Sequence, residues 1–486
     1  MNQLHDHLEA DLQKFFGFSS FREGQREIIE SVLNQSHTLA TLPTGSGKSI
    51  CYQLPSKLMD GITIVVSPLI SLMIDQVKLL KSQGFKRITA LNSLLNYQQK
   101  SQILNHLSEY QLIYCSPEML QQPRVIERLK QVNVSLFVID EAHCISQWGY
   151  EFRPDYLRLK DVIQLIGEPT VLALSATATP QIQDDIIEFL DLDMNKIIYP
   201  MDRVNITYNV IKSDNVVEKH EHLLSVIERV KAPTMIYFSS RQVTEQICAQ
   251  LQREFPDRSI AYYHGGMEQQ DRLLIQQQFM LGQLDIICCT SAFGMGINKS
   301  DIRLIIHYHL PNNIESFIQE TGRAGRDGEH SVSVLLYNKG DEAIPFHMIE
   351  SELPDDKEIK RYINNEIDDE LPEIKQRFLK FQKDLAEKES FTFHQSVEKI
   401  IKVRDQRRMV KSNSVFELLK WIHTEQCKRQ ALFESYQSNT RPAKFACCDV
   451  CDFKLKEWAI KQDITEKHSV NWKTILDELL PTKQVT

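Results

Sequence analysis

The chain has 486 residues, of which 42% are hydrophobic and 25% charged, and its formal net charge is −9. This length suggests about three domains of roughly 150 residues each, with a composition typical of soluble globular proteins. No apolar run approaches the ~20 residues of a membrane helix, and the polar, acidic N-terminus excludes a secretory signal. The negative charge argues against indiscriminate coating of nucleic acid but leaves room for a local basic track. We expect a cytoplasmic protein without disulfides.

An aromatic cluster followed by Arg22 and Gln25 precedes the first predicted strand. A Gln amide donates and accepts hydrogen bonds at once, which suits the edge of an adenine ring. The alternative is an amphipathic helix with a solvated Gln, and this segment by itself favours that alternative.

A glycine-rich loop, Thr41-Leu-Pro-Thr-Gly-Ser-Gly-Lys-Ser49, lies between a short apolar strand at 37–40 and a predicted helix. Its backbone N–H groups and the helix dipole favour an anion, and glycine lets the backbone approach phosphate oxygens. Lys48 would reach the β- and γ-phosphates of a nucleotide, and the Ser49 hydroxyl would bind Mg²⁺. The strict pattern has Gly where this chain has Leu42. The predicted nucleotide-binding residues of this region are Arg22, Gln25, Thr44, Gly45, Ser46, Gly47, Lys48 and Ser49.

Two carboxylates stand at the tip of a predicted buried strand, where Leu136-Phe-Val-Ile139 is followed by Asp140-Glu-Ala-His143. Asp140 suits Mg²⁺ bound through water, because this hard ion keeps several of its waters. Glu141 is then placed to orient or deprotonate an attacking water. An acidic pair at a loop start is usually only solvated, but the upstream phosphate loop favours the catalytic interpretation.

Further apolar strands alternate with helical segments, which predicts parallel α/β layers. We predict first-layer strands at 62–67, 112–115 and 171–174, and second-layer strands at 234–239, 259–264, 285–290 and 302–307. The strand at 171–174 ends in Ser175-Ala-Thr177, whose hydroxyls are candidates to bridge the carboxylate site to the far side of a cleft. Residues 202–205 have loop character and mark the boundary of the first layer.

An aromatic-rich segment at 144–156 is interrupted by Gly and Pro. Its rings and an arginine suit a platform on which bases stack. The alternative is a local hydrophobic mini-core, and the segment by itself does not decide between them.

The second layer carries Gln319-Glu-Thr-Gly-Arg-Ala-Gly-Arg-Asp-Gly328. Arg323 and Arg326 lie on a glycine-containing turn, and their guanidinium groups suit a γ-phosphate across a cleft. The alternative is a solvated basic turn.

The local charge of the sequence changes from negative to positive in the last third of the chain. Residues 350–370 are acidic, as in a linker or a solvated helix. The helices that follow have a basic face, which we predict to be a phosphate track outside the cleft. It comprises Arg404, Arg407, Arg408, Lys411, Lys420, Lys428 and Arg429.

Four cysteines lie close together in the sequence, Cys427 on a predicted helix and the others in Cys447-Cys-Asp-Val-Cys451. Cys448-x2-Cys451 has zinc-knuckle spacing, and a long loop back to Cys427 suits a structural zinc site.

In this order, the motifs resemble those of superfamily 2 helicases, and specifically the RecQ family of DNA helicases, over about residues 10–455. The most family-specific stretch is Trp148-Gly-Tyr-Glu-Phe-Arg-Pro-Asp-Tyr156, which is similar to the family's loop that couples single-stranded DNA to hydrolysis. The coupling residues that this implies are Ser146, Gln147, Trp148, Phe152 and Arg153. The other matching motifs are residues 16–25, 42–49, 140–143, 293–298 and 319–326.

The resemblance implies an α/β fold of two tandem RecA-like parallel-sheet lobes followed by a mainly helical zinc-binding domain. We expect lobe 1 at 1–207, lobe 2 at 208–345, the zinc-binding domain at 346–455 and a tail at 456–486. ATP would bind between the lobes, with Lys48, Ser49 and Asp140 holding Mg-ATP. Glu141 would activate water, and Arg323 and Arg326 would stabilise charge on the γ-phosphate.

The activity implied is ATP-dependent unwinding of duplex DNA in recombination, repair or replication, with 3′-to-5′ movement on one strand. The expected nucleic-acid partners are single-stranded DNA and forked or tailed duplexes. Single-strand-binding or recombination proteins are possible protein partners. We expect a monomer that does not contact a membrane. Two other functions stay open, an RNA-dependent helicase and an ATP-switched protein that binds or anneals DNA without unwinding it. Glu141 and the arginine pair argue against an inactive switch.

Three departures from the family pattern bear on these expectations. Asn298 stands where the family usually has Asp, which weakens its hydrogen-bonding assignment. Phe445 occupies a cysteine position of the zinc pattern, so Cys447 is the predicted fourth ligand beside Cys427, Cys448 and Cys451, with His423 as its substitute. The chain also stops where longer members continue into a winged helix, from which we expect weak, salt-sensitive unwinding.

Overall fold

Two parallel sheets form the frame of the protein, and the computed structural model describes residues 7–68, 70–146, 154–294, 299–367 and 370–461. Among those residues, none of the helices combines the length and the apolar character that a membrane span requires. The predicted fold class is confirmed, since two parallel-sheet lobes are followed by a mainly helical region that carries the clustered cysteines.

The first lobe is a seven-stranded parallel sheet flanked by helices. Its strands are β1 (Thr38–Thr41), β2 (Ile62–Val66), β3 (Ile88–Leu91), β4 (Leu112–Cys115), β5 (Val134–Asp140), β6 (Thr170–Ser175) and β7 (Asn195–Ile198). Its helices are α1 (Leu8–Phe16), α2 (Gln25–Leu33), α3 (Ile50–Gln53), α4 (Pro55–Leu58), α5 (Ile70–Ser82), α6 (Tyr97–Asn105), α7 (Pro123–Leu129), α8 (Leu159–Leu165) and α9 (Pro180–Leu190). The strand order is β3-β4-β2-β5-β6-β1-β7.

This order brings the phosphate loop and the acidic pair to one edge of the sheet. Strand β6 lies between β1 and β5 and pairs in parallel with both. Because all the strands run the same way, their carboxyl ends meet at the edge where ligands bind in open α/β sheets. Strand β2 is buried along its whole length, as a sheet covered by helices on both faces requires.

The second lobe repeats the design with six parallel strands in the order β11-β12-β10-β13-β14-β8. Its strands are β8 (Ile206–Ser213), β10 (Thr234–Tyr237), β11 (Ile260–Tyr263), β12 (Ile286–Cys289), β13 (Leu304–His307) and β14 (Ser331–Asn338), with a short β9 (Val230–Lys231) outside the sheet. Its helices are α10 (Val216–Arg229), α11 (Arg241–Glu254), α12 (Gln269–Met280) and α13 (Ile314–Thr321). Residues 199–205 join β7 to β8, so the second sheet begins slightly before the expected boundary at 207/208.

The helical region is anchored in the core of the second lobe. Its helices are α14 (Ala343–Glu352), α15 (Asp356–Ile363), α16 (Glu373–Lys388), α17 (Phe393–His423) and α18 (Lys428–Phe433). The C-terminal end of α17 inserts Leu418, Trp421 and Ile422 into the second lobe's hydrophobic core, where Trp421 packs on Phe317 with ring centroids 4.7 Å apart. At its other end, α17 shares a separate small core with α15 and α16.

Three of the four clustered cysteines, Cys447, Cys448 and Cys451, lie in a turn that covers the exposed edge of the second sheet, and Cys427 immediately precedes α18. The N–H of Tyr208 on β8 donates to the carbonyl of Cys447 at 3.3 Å, and the N–H of Asp449 donates to the carbonyl of Tyr208 at 3.1 Å. A carboxylate oxygen of Asp449 also accepts from the N–H of Val210 at 2.8 Å. Strand β15 (Ile460–Lys461) then pairs with β9. The turn therefore protects an edge strand that would otherwise present unpaired backbone groups.

The predicted phosphate track on the basic helices is wrong for three of its residues, because their side chains are buried and bonded internally. Arg404 bonds Asp356 at 2.7 Å and Asp405 at 2.8 Å. Lys428 donates to carbonyl oxygens at the end of α17, and Arg429 donates to carbonyl oxygens next to β8. The helices are basic because they meet acidic residues and backbone carbonyls elsewhere in the fold.

Candidate active site

The glycine-rich loop runs from the end of β1 to α3. Gly45 and Gly47 have φ values of +79° and +77°, a left-handed conformation that favours glycine at both positions. Leu42, which departs from the strict pattern, is fully buried in the first lobe. Ser49 immediately precedes α3, and its carbonyl accepts from the N–H of Gln53 at 2.9 Å. This is the strand, loop and helix start that a phosphate cradle requires.

Arg22 and Gln25 support this loop from outside. A guanidinium nitrogen of Arg22 donates to the carbonyl of Gly45 at 2.6 Å. The amide nitrogen of Gln25 donates to the carbonyls of Ser46 and Gly47 at 2.8 and 3.0 Å, and its oxygen accepts from the N–H of Arg22 at 2.9 Å. Gln25 is buried, so the solvated-glutamine alternative does not describe it.

The acidic pair occupies the carboxyl end of β5. Asp140 ends the strand, and Glu141 has left-handed backbone angles (φ 53°, ψ 49°). Burial and the charge of Glu141 raise the pKa of Asp140 to about 6, against the opposing effect of Lys48. Burial opposes ionisation of Glu141 too, but Lys48, His143 and Arg323 outweigh it and lower its pKa. Lys48 and both carboxylates therefore act on one another in a single site.

One oxygen of Glu141 is available for a ligand. Its Oε2 atom is buried, lies 3.5 Å from Nδ1 of His143, and accepts no hydrogen bond among the residues that the structure describes. A buried carboxylate oxygen is costly to leave unpaired, which is typical of a position that water or substrate fills. With the Ser49 hydroxyl and Asp140, the oxygen donors here fit the preferences of Mg²⁺.

A hydrogen-bonded chain links the acidic pair to the second lobe. His143 is buried, with Nδ1 3.0 Å from the Ser175 hydroxyl and Nε2 3.6 Å from a carboxylate oxygen of Glu315 on α13. The hydroxyl of Thr177 donates to that same oxygen at 2.5 Å and accepts from Gln319 at 3.2 Å. The hydroxyls after β6 thus reach across the cleft as the sequence suggested, whereas the roles of His143 and Glu315 were not predicted.

The arginine turn lies directly against the phosphate loop. A Cβ placed on Gly322 would overlap the Thr44 hydroxyl, and one placed on Gly45 would come within 2.9 Å of the Arg326 side chain. Arg323 donates to the carbonyl of Gly294. Burial, together with neighbouring Arg323, Arg203 and Arg22, lowers the pKa of Arg326 to about 9. The solvated-turn alternative does not hold, because these guanidinium groups form a concentrated positive site beside the loop.

The predicted DNA-coupling segment is described only at its ends. Gln147, Trp148, Phe152 and Arg153 lie outside the described residues, as does Asn298 of the second lobe. Before the segment, the Ser146 hydroxyl donates to Asp185 at 2.7 Å, and after it the hydroxyl of buried Tyr156 donates to the carbonyl of Asp140 at 3.4 Å. The end at Tyr156 is therefore bonded to the backbone of the acidic pair, and the end at Ser146 is bonded to α9.

The four C-terminal cysteines converge. The Sγ atoms of Cys427, Cys447, Cys448 and Cys451 all lie within 4.8 Å of one another. Measured pairs are 3.5 Å for Cys427–Cys447, 4.0 Å for Cys427–Cys448 and 3.5 Å for Cys448–Cys451. Tetrahedral zinc with Zn–S bonds of about 2.3 Å needs sulfur atoms about 3.8 Å apart, so the cluster is compatible with zinc. Cys447 completes it, and His423 is not one of its members.

Comparisons with known proteins agree with this geometry. A family model described as DEAD/DEAH box helicase matches residues 22–186, and one described as helicase conserved C-terminal domain matches residues 218–328. Among solved structures, the Mycobacterium smegmatis helicase Lhr bound to ssDNA and AMP-PNP superimposes with a TM-score of 0.57 at 20% identity, covering 70% of this chain and 49% of that one. At that identity the likeness concerns the fold alone.

Curated relatives are much more similar in sequence. The probable ATP-dependent DNA helicase RecS of Bacillus subtilis is 42% identical over 459 residues, which span 92% of each chain. The ATP-dependent DNA helicase RecQ of the same organism is 39% identical over 353 residues, which span 71% of this chain and 59% of that protein. With this identity over nearly the whole of a relative, and with both helicase lobes in place, the chain belongs to the RecQ family of ATP-hydrolysing helicases.

Proposed function

We propose that this enzyme uses ATP to move along single-stranded DNA in the 3′-to-5′ direction and to unwind duplex DNA. The observation that carries the proposal is the cleft itself, where the phosphate loop and acidic pair of the first lobe meet the arginine turn of the second. The relatives named as DNA helicases support DNA as the polymer. Direction of movement and a role in recombination, repair or replication rest on the family resemblance.

Within the cleft, each of these residues has a separate role in ATP hydrolysis. The loop from Thr44 to Ser49 binds the phosphates, and Lys48 neutralises their charge. Mg²⁺ held by Ser49 and Asp140 would supply further charge neutralisation when it is bound. Glu141 has a lowered pKa and a buried oxygen that accepts no hydrogen bond among the described residues, which suits it to orient and deprotonate water. Arg323 and Arg326 stabilise charge that develops on the γ-phosphate.

Hydrolysis in such a cleft is coupled to movement of the lobes. The chain from His143 to Glu315 and the contact of Gly322 with Thr44 exist only while the lobes are together. ATP would favour this closed arrangement, because its phosphates attract groups from both sides. Loss of the γ-phosphate removes that attraction, so the lobes separate and step along the strand.

The cysteine cluster is proposed as a structural zinc site. Four thiolates would fill the tetrahedral positions of the ion, which leaves none open for catalysis. Its position on the edge of the second sheet gives zinc a role in stability. All ten cysteines are free, and a reducing cytoplasm would keep these ligands available. The monomeric state and the protein partners stay predictions.

A strand-displacement assay tests the proposed function. We expect ATP-dependent displacement of DNA strands from duplexes with a 3′ single-stranded tail or a fork, and little from blunt duplexes. Lys48→Ala is the matched control, since it removes phosphate neutralisation without touching the DNA-binding surfaces. Preferential unwinding of RNA duplexes would favour the RNA helicase, and ATP-dependent annealing without displacement would favour the switched binding protein.

A further inference from the structure

The linker between the two lobes carries an arginine that bonds to both sides of the cleft. Nη1 of Arg203 donates to the carbonyl of Thr44 in the phosphate loop at 2.9 Å and to the carbonyl of Gly322 in the arginine turn at 3.1 Å. Its Nη2 donates to the carbonyl of Gly325 at 2.6 Å and to that of Ala324 at 3.3 Å. One planar guanidinium therefore holds the loop that binds phosphate and the turn that carries Arg323 and Arg326.

The helical region fixes this linker from outside. The carboxylate of Asp202, 0% exposed, accepts from the side chain of Gln437 at 2.9 Å and from the N–H of Arg441 at 3.1 Å. A guanidinium nitrogen of Arg441 also donates to Glu23 of the first lobe at 3.1 Å. Behind the linker, Arg429 is 1% exposed and donates to the carbonyl of Arg203 at 2.7 Å.

These contacts connect Arg203 both to the helical region and to the two loops of the cleft. Its backbone carbonyl is bonded to Arg429 on α18 and that of Asp202 to Arg441, and its side chain reaches the phosphate loop and the arginine turn. Four of its five acceptors are backbone carbonyls of the phosphate loop and the arginine turn, and the fifth, at 3.5 Å, is the side-chain oxygen of Asn205 in the linker itself. The bonds to the two loops therefore define loop position rather than bind a particular side chain. The guanidinium fork suits such simultaneous contacts, since its donors point in fixed directions.

We propose that Arg203 is the positioning residue that sets the arginine turn against the phosphate loop, and that the 429–441 segment holds it in place. The cysteine-centred region would thereby regulate hydrolysis as well as stabilise the second lobe. This inference rests on the proposed hydrolysis of ATP in the cleft. It concerns the alignment of Arg323 and Arg326, not direct contact of Arg203 with ATP.

The first test compares Arg203→Gln and Arg203→Lys in the full chain by DNA-stimulated ATP hydrolysis. We expect Arg203→Gln to lower kcat by about tenfold or more and to change the KM for ATP by less than about threefold. The reason is that Lys48 and the phosphate loop still bind ATP, whereas the arginines lose their alignment in the transition state. Arg203→Lys should recover part of kcat, because the carbonyls of Thr44 and Gly322 both accept from a single nitrogen of Arg203.

Thermal unfolding and a surface variant separate positioning from stability. Arg253→Gln is the matched control, since Arg253 is exposed and bonds only a carbonyl of its own helix among the described residues. We expect this variant to keep native kinetics. If Arg203→Gln loses folded protein in proportion to activity, and Arg203→Lys does not recover kcat, the role is structural and the proposal is wrong.

The second test is a double-mutant cycle with Arg441→Gln, which removes contacts between the helical region and the linker. If both residues act on the same loop alignment, the double variant should have nearly the kcat of Arg203→Gln alone. Independent, multiplying losses would overturn the link to the helical region. A wild-type chain without DNA-stimulated ATPase would instead contradict the proposed function, whereas an active wild type with an equally active Arg203→Gln contradicts only this inference.

Discussion

The backbone at Glu141 shows how a single residue is adapted to chemistry. A non-glycine residue in the left-handed region (φ 53°) costs of order 1–3 kcal/mol, and such strain persists where the surrounding structure enforces it. Here β5 holds the residue before Glu141, and the short helical turn from Ala142 to Ile145 holds the residues after it. The strained turn directs two neighbouring carboxylates to the same site.

Replacing Glu141 with Gln should separate ATP binding from hydrolysis. The amide keeps the size and polarity of the side chain but does not take a proton from water, so we expect hydrolysis to fall by about 10²–10⁴-fold. ATP affinity should stay close to native, as measured by equilibrium binding of nucleotide. Glu188→Gln, which changes an exposed glutamate of α9, is the control. Hydrolysis near the native rate in Glu141→Gln would refute the assignment of the base.

At the scale of single residues, the sequence predicts the active-site residues that belong to motifs with recognisable spacing. It does not predict those that are defined only by tertiary contacts. The phosphate loop and acidic pair are short local patterns, so their residues were identified directly. Arg203 has no such pattern, because the carbonyls that it bonds come from two loops that are distant in sequence. His143 was visible beside Glu141, but its partner Glu315 belongs to the other lobe.

At the scale of elements, the strands that form the sheet interiors were predictable. Strands β2, β4, β5, β10 and β12 are continuous apolar runs, which only a buried parallel sheet explains well. The edge strand β7 (Asn195–Ile198) was missed, since three of its four residues are exposed and its sequence is polar at the start. The long β14 was also missed, because its serines interrupt the apolar pattern although they are buried.

The basic helices illustrate the limit of charge patterns. Arg404 lies on α17, and its partner Asp356 lies on α15, whose acidic sequence predicts a linker or a solvated helix. The two segments have charges of opposite sign, and in the fold Arg404 and Asp356 form an ion pair. A charge run therefore indicates a nucleic-acid surface only after its internal partners are known.

Removing a cysteine ligand should release zinc and destabilise the edge of the second lobe. For Cys451→Ser we expect loss of about one zinc per chain and a lower thermal midpoint, because binding energy at a structural site is folding energy. Elemental analysis and thermal unfolding provide the measurements. Cys248→Ala changes a buried cysteine outside the cluster and should retain the metal. Native protein that contains no zinc would contradict the site altogether.

At the scale of the whole molecule, the sequence predicted two lobes and the cleft between them, because each lobe carries one half of the chemistry. It did not predict how the third region joins them. The cysteine turn pairs with β8, and α17 enters the core of the second lobe, so these parts form one continuous body with that lobe. Such docking depends on surface shape, which no local pattern encodes.

Replacing Trp148 and Phe152 with Ala should disconnect DNA binding from ATP hydrolysis. Tyr156, at one end of their segment, is bonded to the carbonyl of Asp140, so we expect a strand that stacks on these rings to affect the acidic pair. We expect basal ATPase to persist, stimulation by oligonucleotide to disappear and DNA affinity to fall, since stacking contributes about 1–3 kcal/mol per base. Titration of ATPase activity with single-stranded DNA measures this. Full stimulation in the double variant would support the mini-core interpretation of the segment.

The length of α17 has a mechanical consequence. Its 31 residues make a rod about 46 Å long, with one end set in the second lobe's core at Trp421. If that lobe rotates by about 10°, the other end of the rod, with α15 and α16 packed on it, moves through about 8 Å. Near that end, α16 contacts the first lobe through the ion pair of Asp384 with Arg158, at 3.4 Å. If hydrolysis opens the cleft, a small rotation would thus be amplified along α17, and this ion pair would break and form again as the lobes move.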